Sequence, residues 1–146
     1  MSVLPKFERV AYASLNSRQQ EIYNFQKVSG LLAEYGFATL RLTDDWSGAD
    51  FLAVHVNGET ILRVQLKGRM TFEHKYRGKA IWICFRHKGV VYLYPHDDLL
   101  AVALAQTNIG NTESWKKPGG GYSFPSPPAA LQEALSQFCL GRETEA

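Results

Sequence analysis

Asp50, Gln65 and Lys67 are the residues of this 146-residue chain whose types and spacing could do chemistry together. They flank Asn57-Gly58, a strong tight-hairpin signal, with runs rich in apolar residues on either side. A two-residue turn there pairs residue i with residue 115 − i, which sets Asp50 opposite Gln65. Opposed residues share a face with Cβ atoms about 4.5–5.5 Å apart, and the strand period of two returns Arg63 and Lys67 to that face. Toward the turn the face continues as Leu52, Val54, Val56 and Ile61, which are expected to join the core. A carboxylate, an amide oxygen and an ammonium at one strand end suit metal-assisted hydrolysis of a phosphodiester. A hard cation such as Mg²⁺ takes oxygen ligands and keeps several waters. Asp50 offers a carboxylate, Gln65 its side-chain oxygen and Leu66 its backbone carbonyl. Lys67 would position or help deprotonate a water and counter phosphate charge. One Asp beside a neutral Gln is a weak anionic set, so a further carboxylate is expected. Glu21 is the first choice, on one helical stripe with Phe25, and Asn24 on the neighbouring stripe adds a polar contact. Asp44 and Asp45 are the fallback. The bland alternative is an exposed strand end carrying unrelated polar residues.

The elements that must hold these groups are legible in the periodicity. Residues 17–35 place Phe25, Val28, Leu32 and Tyr35 three and four apart, which predicts an amphipathic helix capped by Ser17 and stopped by Gly36. Strands are predicted at 37–43, 50–56, 60–67, 80–85 and 90–94, with Trp82, Phe85, Tyr92 and Tyr94 as core. Further helices are predicted at 97–106, where Asp97 and Asp98 suit the helix dipole, and at 127–138, opened by Pro127-Pro128. Residues 107–126, with Gly119-Gly-Gly and no following Lys-Ser/Thr, read as a long loop. Trp115, Lys116, Lys117 and Tyr122 within it could touch a nucleic acid, though a plain surface loop is the simpler reading. Residues 139–146 read as a polar, frayed tail. One domain over 1–146 is expected, its core at about 17–106, with one central, mostly antiparallel sheet in an α/β or α+β arrangement.

Composition narrows the class. Apolar residues make up 45% and charged residues 21%, the balance of a globular protein rather than a disordered chain. The longest apolar run, Leu99 to Ala105, is far short of the ~20 residues a membrane span needs, and the first residues do not read as a secretory leader. Cys84 and Cys139 form no CxxC pair, and Cys84 in its apolar run reads as a buried thiol, which points to the cytoplasm. The four histidines share no ligand spacing. Net charge is only +2, yet eight of the sixteen Lys/Arg fall in residues 61–90, where Glu73 is the only acid. Arg63, Arg69, Lys75, Arg77 and Lys79 in that block are the candidate phosphate contacts. A solvated strand edge is the alternative.

Gly48-Ala-Asp-Phe-Leu-Ala, a short hairpin, and then Val64-Gln-Leu-Lys-Gly-Arg resemble the active-site hairpin of the PD-(D/E)XK nuclease superfamily. The resemblance covers about residues 17–94. Asp50 matches the superfamily's aspartate, Gln65 its acidic position and Lys67 its lysine, while Glu21 would be the helix carboxylate. Gln65 departs from the usual acid, as in certain intron-encoded homing endonucleases of similar length, and Ala49 stands where proline is usual. The resemblance implies a restriction-endonuclease-like core with an αβββ opening unit and a central mixed sheet of about five strands flanked by helices. It implies a Mg²⁺- or Mn²⁺-dependent DNA endonuclease with Asp50, Gln65, Lys67 and Glu21 catalytic, and Asp50, Gln65, Leu66 and Glu21 around the metal. The other function class is a catalytically inactive nuclease-like module that binds DNA or a protein partner. No membrane partner is expected, and self-association stays open.

Overall fold

The first helix, α1 (Ser17–Ala33), starts one residue earlier than its sequence suggests, because Asn16 and not Ser17 caps it. The Asn16 side chain accepts from the Gln19 amide at 2.9 Å, and the Gln19 side chain accepts from the Asn16 amide at 2.9 Å. That reciprocal pair satisfies two amides that lack helical partners. Gly36, at φ +83°, turns the chain out of the helix. The structure, a computed structural model, describes residues 4–46 and 48–143, without the side chains of residues 44–46.

Three strands follow as a meander: β1 (Phe37–Trp46), β2 (Ala49–His55) and β3 (Ile61–Leu66). The expected register holds, with Phe51 opposite Val64, Leu52 opposite Arg63 and Val54 opposite Ile61. The turn itself is longer than expected. His55 N–H donates to Thr60 O at 2.9 Å, leaving residues 56–59 as the loop, tied by Asn57 Oδ1 accepting from the Glu59 and Thr60 amides. A four-residue loop centred on the same dipeptide keeps the same pairing, so the register survives the wrong turn length.

The short strand β4 (Met70–Glu73) and a 3₁₀ turn at His74–Tyr76 carry the chain to β5 (Ile81–His87), which runs parallel to β3. In the sequence this stretch belongs to the basic block, read as a phosphate-binding surface or a solvated strand edge. Instead Met70, Phe72 and Tyr76 are buried, and Tyr94 Oη both accepts from Thr71 N–H (2.9 Å) and donates to Thr71 O (2.7 Å). Next come β6 (Val90–Pro95), α2 (His96–Gln106), α3 (Glu113–Lys116), β7 (Gly121–Phe124), α4 (Ala129–Ser136) and β8 (Cys139–Arg142). The main sheet has the order β1-β2-β3-β5-β6-β8, antiparallel except between β3 and β5. It is thus the expected mixed sheet behind an αβββ unit, with six strands in place of about five. The sixth, β8, comes from the supposed tail and pairs with β6. Residues 107–126 are likewise no plain loop, since β7 pairs with β4 and Ile109 and Trp115 are buried.

The two faces of the sheet carry separate cores. On one, Val28 and Leu32 of α1 meet Phe51, Ala53, Val64 and Cys84. On the other, Ile81, Ile83, Phe85 and Tyr94 meet Leu99 and Leu100 of α2 and Leu131 and Leu135 of α4. Each fully buried Val, Leu, Ile or Phe contributes about 1.5–3 kcal/mol. The expected core face of the hairpin is corrected here. Phe51, Ala53 and Val64 turn inward, while Val56 and Ile61 are 82% and 56% exposed. The β2 strand is apolar on both faces, so alternation could not say which face α1 covers. Among the described residues no helix is long and apolar enough to cross a membrane.

Candidate active site

Where the β2–β3 ladder ends, a side chain takes over from the backbone. Asp50 Oδ2 accepts from Leu66 N–H at 2.9 Å, one residue beyond Phe51 on β2 and two beyond its partner Val64 on β3. On the other side, Lys67 N–H donates to Cys84 O of β5 at 2.9 Å. The end of β3 is therefore held from both neighbours, so Gln65, Leu66 and Lys67 project from fixed backbone. A cleft of about 590 Å³ opens there, lined by Asp50, Gln65, Leu66 and Lys67 from the strands and by Glu21 and Asn24 from α1. The residues singled out around the hairpin and on the helix thus meet at one cavity. Asp44 and Asp45 lie outside the described side chains.

Gln65 Oε1 is buried and has no hydrogen-bond partner among the described residues. A buried carbonyl oxygen without a donor costs roughly 1–3 kcal/mol, and a cation in the cleft would relieve that cost. Among the described residues no three His, Cys, Asp or Glu side chains gather closely enough to hold a metal ion by themselves. The groups at the cleft that could serve a cation are all oxygens: the Asp50 carboxylate, the Gln65 amide and the Leu66 carbonyl, with Glu21 also lining it. Oxygen donors of this kind suit Mg²⁺ or Mn²⁺ rather than zinc.

No protein-family model matches the chain, and no curated protein does. Solved structures similar to it include the following two. One is Hjc, a Holliday junction resolvase from Archaeoglobus fulgidus, with a TM-score of 0.40 and 13% identity over 51% of this chain and 76% of that one. The other is the bacterial homing endonuclease I-Ssp6803I, with a TM-score of 0.46 and 13% identity over 84% of this chain and 94% of that one.

Glu73 is a neighbour of the site that sequence reasoning passed over. Its Oε2 lies 3.1 Å from Lys67 Nζ, with Lys75 Nζ 3.8 Å from the other oxygen. Burial alone would raise the Glu73 carboxyl, but Lys67, Lys75 and the Tyr76 hydroxyl together hold it below its ordinary value. Its amide donates to His96 Nε2 at 3.0 Å, which fixes the ring proton on Nδ1, facing Asp97 Oδ1 at 2.9 Å. The available signal was that Glu73 is the only acid within the basic block.

Arg86, the second omission, lines the same cleft. Its Nε and Nη1 reach the two oxygens of Glu143 at 3.1 and 3.2 Å, and Nη2 donates to Asn24 Oδ1. Asn24 in turn donates to Tyr12 Oη at 3.0 Å. The supposed tail thus reaches the cleft wall through Glu143.

The five residues read as phosphate contacts sit elsewhere. Arg63 donates to Lys79 O at 3.3 Å, Lys75 leans toward Glu73, and Arg77 lines a separate open groove with Asp97 and Leu100. None of the five, Arg69 and Lys79 included, lines the cleft. Cys84 is buried and its thiol is pushed up to about 12 by burial, whereas Cys139 is exposed.

Proposed function

We propose that this chain is a metal-dependent endonuclease of the PD-(D/E)XK type that hydrolyses DNA phosphodiester bonds. The observation supporting it most is that Asp50, Gln65 and Lys67 line one cleft with Glu21, and that Gln65 Oε1 is buried there with no hydrogen-bond partner among the described residues. Asp50, Gln65, Leu66 O and Glu21 would hold Mg²⁺ or Mn²⁺. Such an ion, when bound, stabilises charge building on the phosphate and makes water a better nucleophile. Lys67, which pairs with Glu73, would counter charge on a non-bridging phosphate oxygen. Asp50 would serve the site while holding the end of β3 through the Leu66 amide.

The alternative, a catalytically inactive nuclease-like module binding DNA or a protein partner, draws support from Gln65, which leaves the set one negative charge short. A cleavage assay separates the two. Purified protein with Mg²⁺ or Mn²⁺ should cut plasmid or branched DNA, and Asp50→Asn and Lys67→Ala should each lose at least about 100-fold in rate. Calorimetry should show divalent-ion binding that Asp50→Asn weakens. Cleavage equal in all three proteins would remove the enzyme reading. Ion binding without cleavage would favour the inactive module.

A further inference from the structure

The cleft carries positive charge at both ends of its floor. Arg41 of β1 lines it on one side and Lys88, in the β5–β6 turn, on the other. Among the described residues neither forms an ion pair, and both are exposed. The Arg41 guanidinium stands over the Phe25 ring at 5.3 Å, which holds it at the α1 wall. Arg86, between them, already has three of its donors engaged by Glu143 and Asn24. In the basic block, by contrast, Lys75 shares Glu73 and Arg63 is turned onto a backbone carbonyl. A phosphate gains most from cations that are not already neutralised and that lie in a concave surface, where the field is focused.

Sheet order gives the distance. From β1 through β2 and β3 to β5 there are three strand spacings, or roughly 14 Å at about 4.8 Å each. One DNA strand presents a phosphate about every 3.4 Å along the helix axis, so that span is about four such steps, with the scissile phosphate between its ends. Asp50 and Gln65 stand on the two middle strands, and Lys67 directly follows β3. We infer that the backbone of the cut strand crosses the sheet ends from β1 to β5, with Arg41 and Lys88 binding the phosphates that flank the scissile one. The residue 69–79 block then lies off this path. This inference rests on the nuclease reading and names the strand contacts of that site.

The test is fluorescence anisotropy of a labelled DNA duplex titrated with KCl in EDTA, so that no cleavage intervenes. Each lost phosphate contact lowers the slope of log affinity against log salt by about 0.9. The double variant Arg41→Gln/Lys88→Gln should flatten the slope by about 1.8, with an unchanged circular dichroism spectrum and melting temperature. The variant Lys75→Gln/Arg77→Gln/Lys79→Gln should keep the wild-type slope. A double variant that keeps the wild-type slope overturns the inference while leaving the nuclease reading standing. Loss of slope in the block variant instead would move the path to residues 69–79. Failure of the wild-type protein to bind DNA overturns both readings.

Discussion

Asp50 does two jobs, and they can be separated by substitution. Its carboxylate faces the cleft, and one of its oxygens also takes the Leu66 amide, which the β2–β3 ladder leaves behind. Asp50→Ala strands that part-buried amide and should cost about 1–3 kcal/mol. Asp50→Asn can still accept from Leu66 and should stay within about 0.5 kcal/mol of the parent. Urea denaturation of the two variants reads the difference directly. Equal losses would mean that the Leu66 hydrogen bond contributes nothing to stability. Loss of cleavage in Asp50→Ala alone would therefore be ambiguous between chemistry and folding, which is why the asparagine variant is the better probe. Gln65 presents the opposite case, a side chain near the same strand end whose buried oxygen finds no hydrogen-bond partner among the described residues.

At the level of elements, β7 owes its place to two adjacent glycines. A Cβ at Gly120 would fall 2.1 Å from Ser114 O, a backbone atom that cannot swing aside, and one at Gly121 would fall 2.7 Å from Phe72 O. The strand can reach β4 only because those positions carry no side chain. Gly119 differs, since it has φ +68° but open space around its Cβ position. Gly120→Ala should therefore cost about 3 kcal/mol or more through overpacking. Gly119→Ala should cost only the ~1–2 kcal/mol of a left-handed backbone. Denaturation midpoints in urea should rank them in that order, and the reverse ranking would show that β7 is not pinned against α3. Because Glu73, the neighbour of Lys67, sits at the β4 end of this pairing, a displaced β7 should also disturb the cleft.

For the whole molecule, stability should depend on acid in two stages. His96 is fully buried beside Phe72 and Tyr76, and burial lowers its pKa below the ordinary 6.5 despite the opposing pull of Asp97. A proton added at Nε2 would face the Glu73 N–H that now donates to it. The unfolded chain takes that proton more readily, so stability is full above pH 6.5 and falls as pH drops below it. Glu73 and Asp97 act later. Their carboxyls are held below the ordinary 4.5 and 3.8, so their contribution is present above those values and is lost as pH falls through the lower folded ones. The melting temperature should decline from pH 7 to pH 5 and then more steeply below pH 4.5. His96→Gln, less stable at pH 7, should flatten the first decline. A wild-type melting temperature flat from pH 7 to pH 5 would show that His96 does not govern this range.

The hairpin register was legible in the sequence because strand pairing counts residues about a midpoint, and Asn57-Gly58 marks that midpoint whether the loop has two residues or four. The helix before it was legible for a similar reason, since a period of 3.6 and a nearby cap are local properties. What lay beyond reach were choices made between segments far apart in the chain. The strand β2 is apolar on both faces, and only the packing of Val28 and Leu32 decided that Phe51 and Ala53 turn inward. The residue 69–79 block reads as polar, yet its Met70, Phe72 and Tyr76 are buried in one cluster with residues of β5, β6 and α2. Residues 139–142 are too few to form a strand alone, and they do so because β6 offers them an edge and Arg86 offers Glu143 a partner. Local periodicity thus carried the elements and the residues near the end of β3. The identity of their neighbours, Glu73 and Arg86 above all, depended on long-range burial and ion pairing, which no short window of sequence contains.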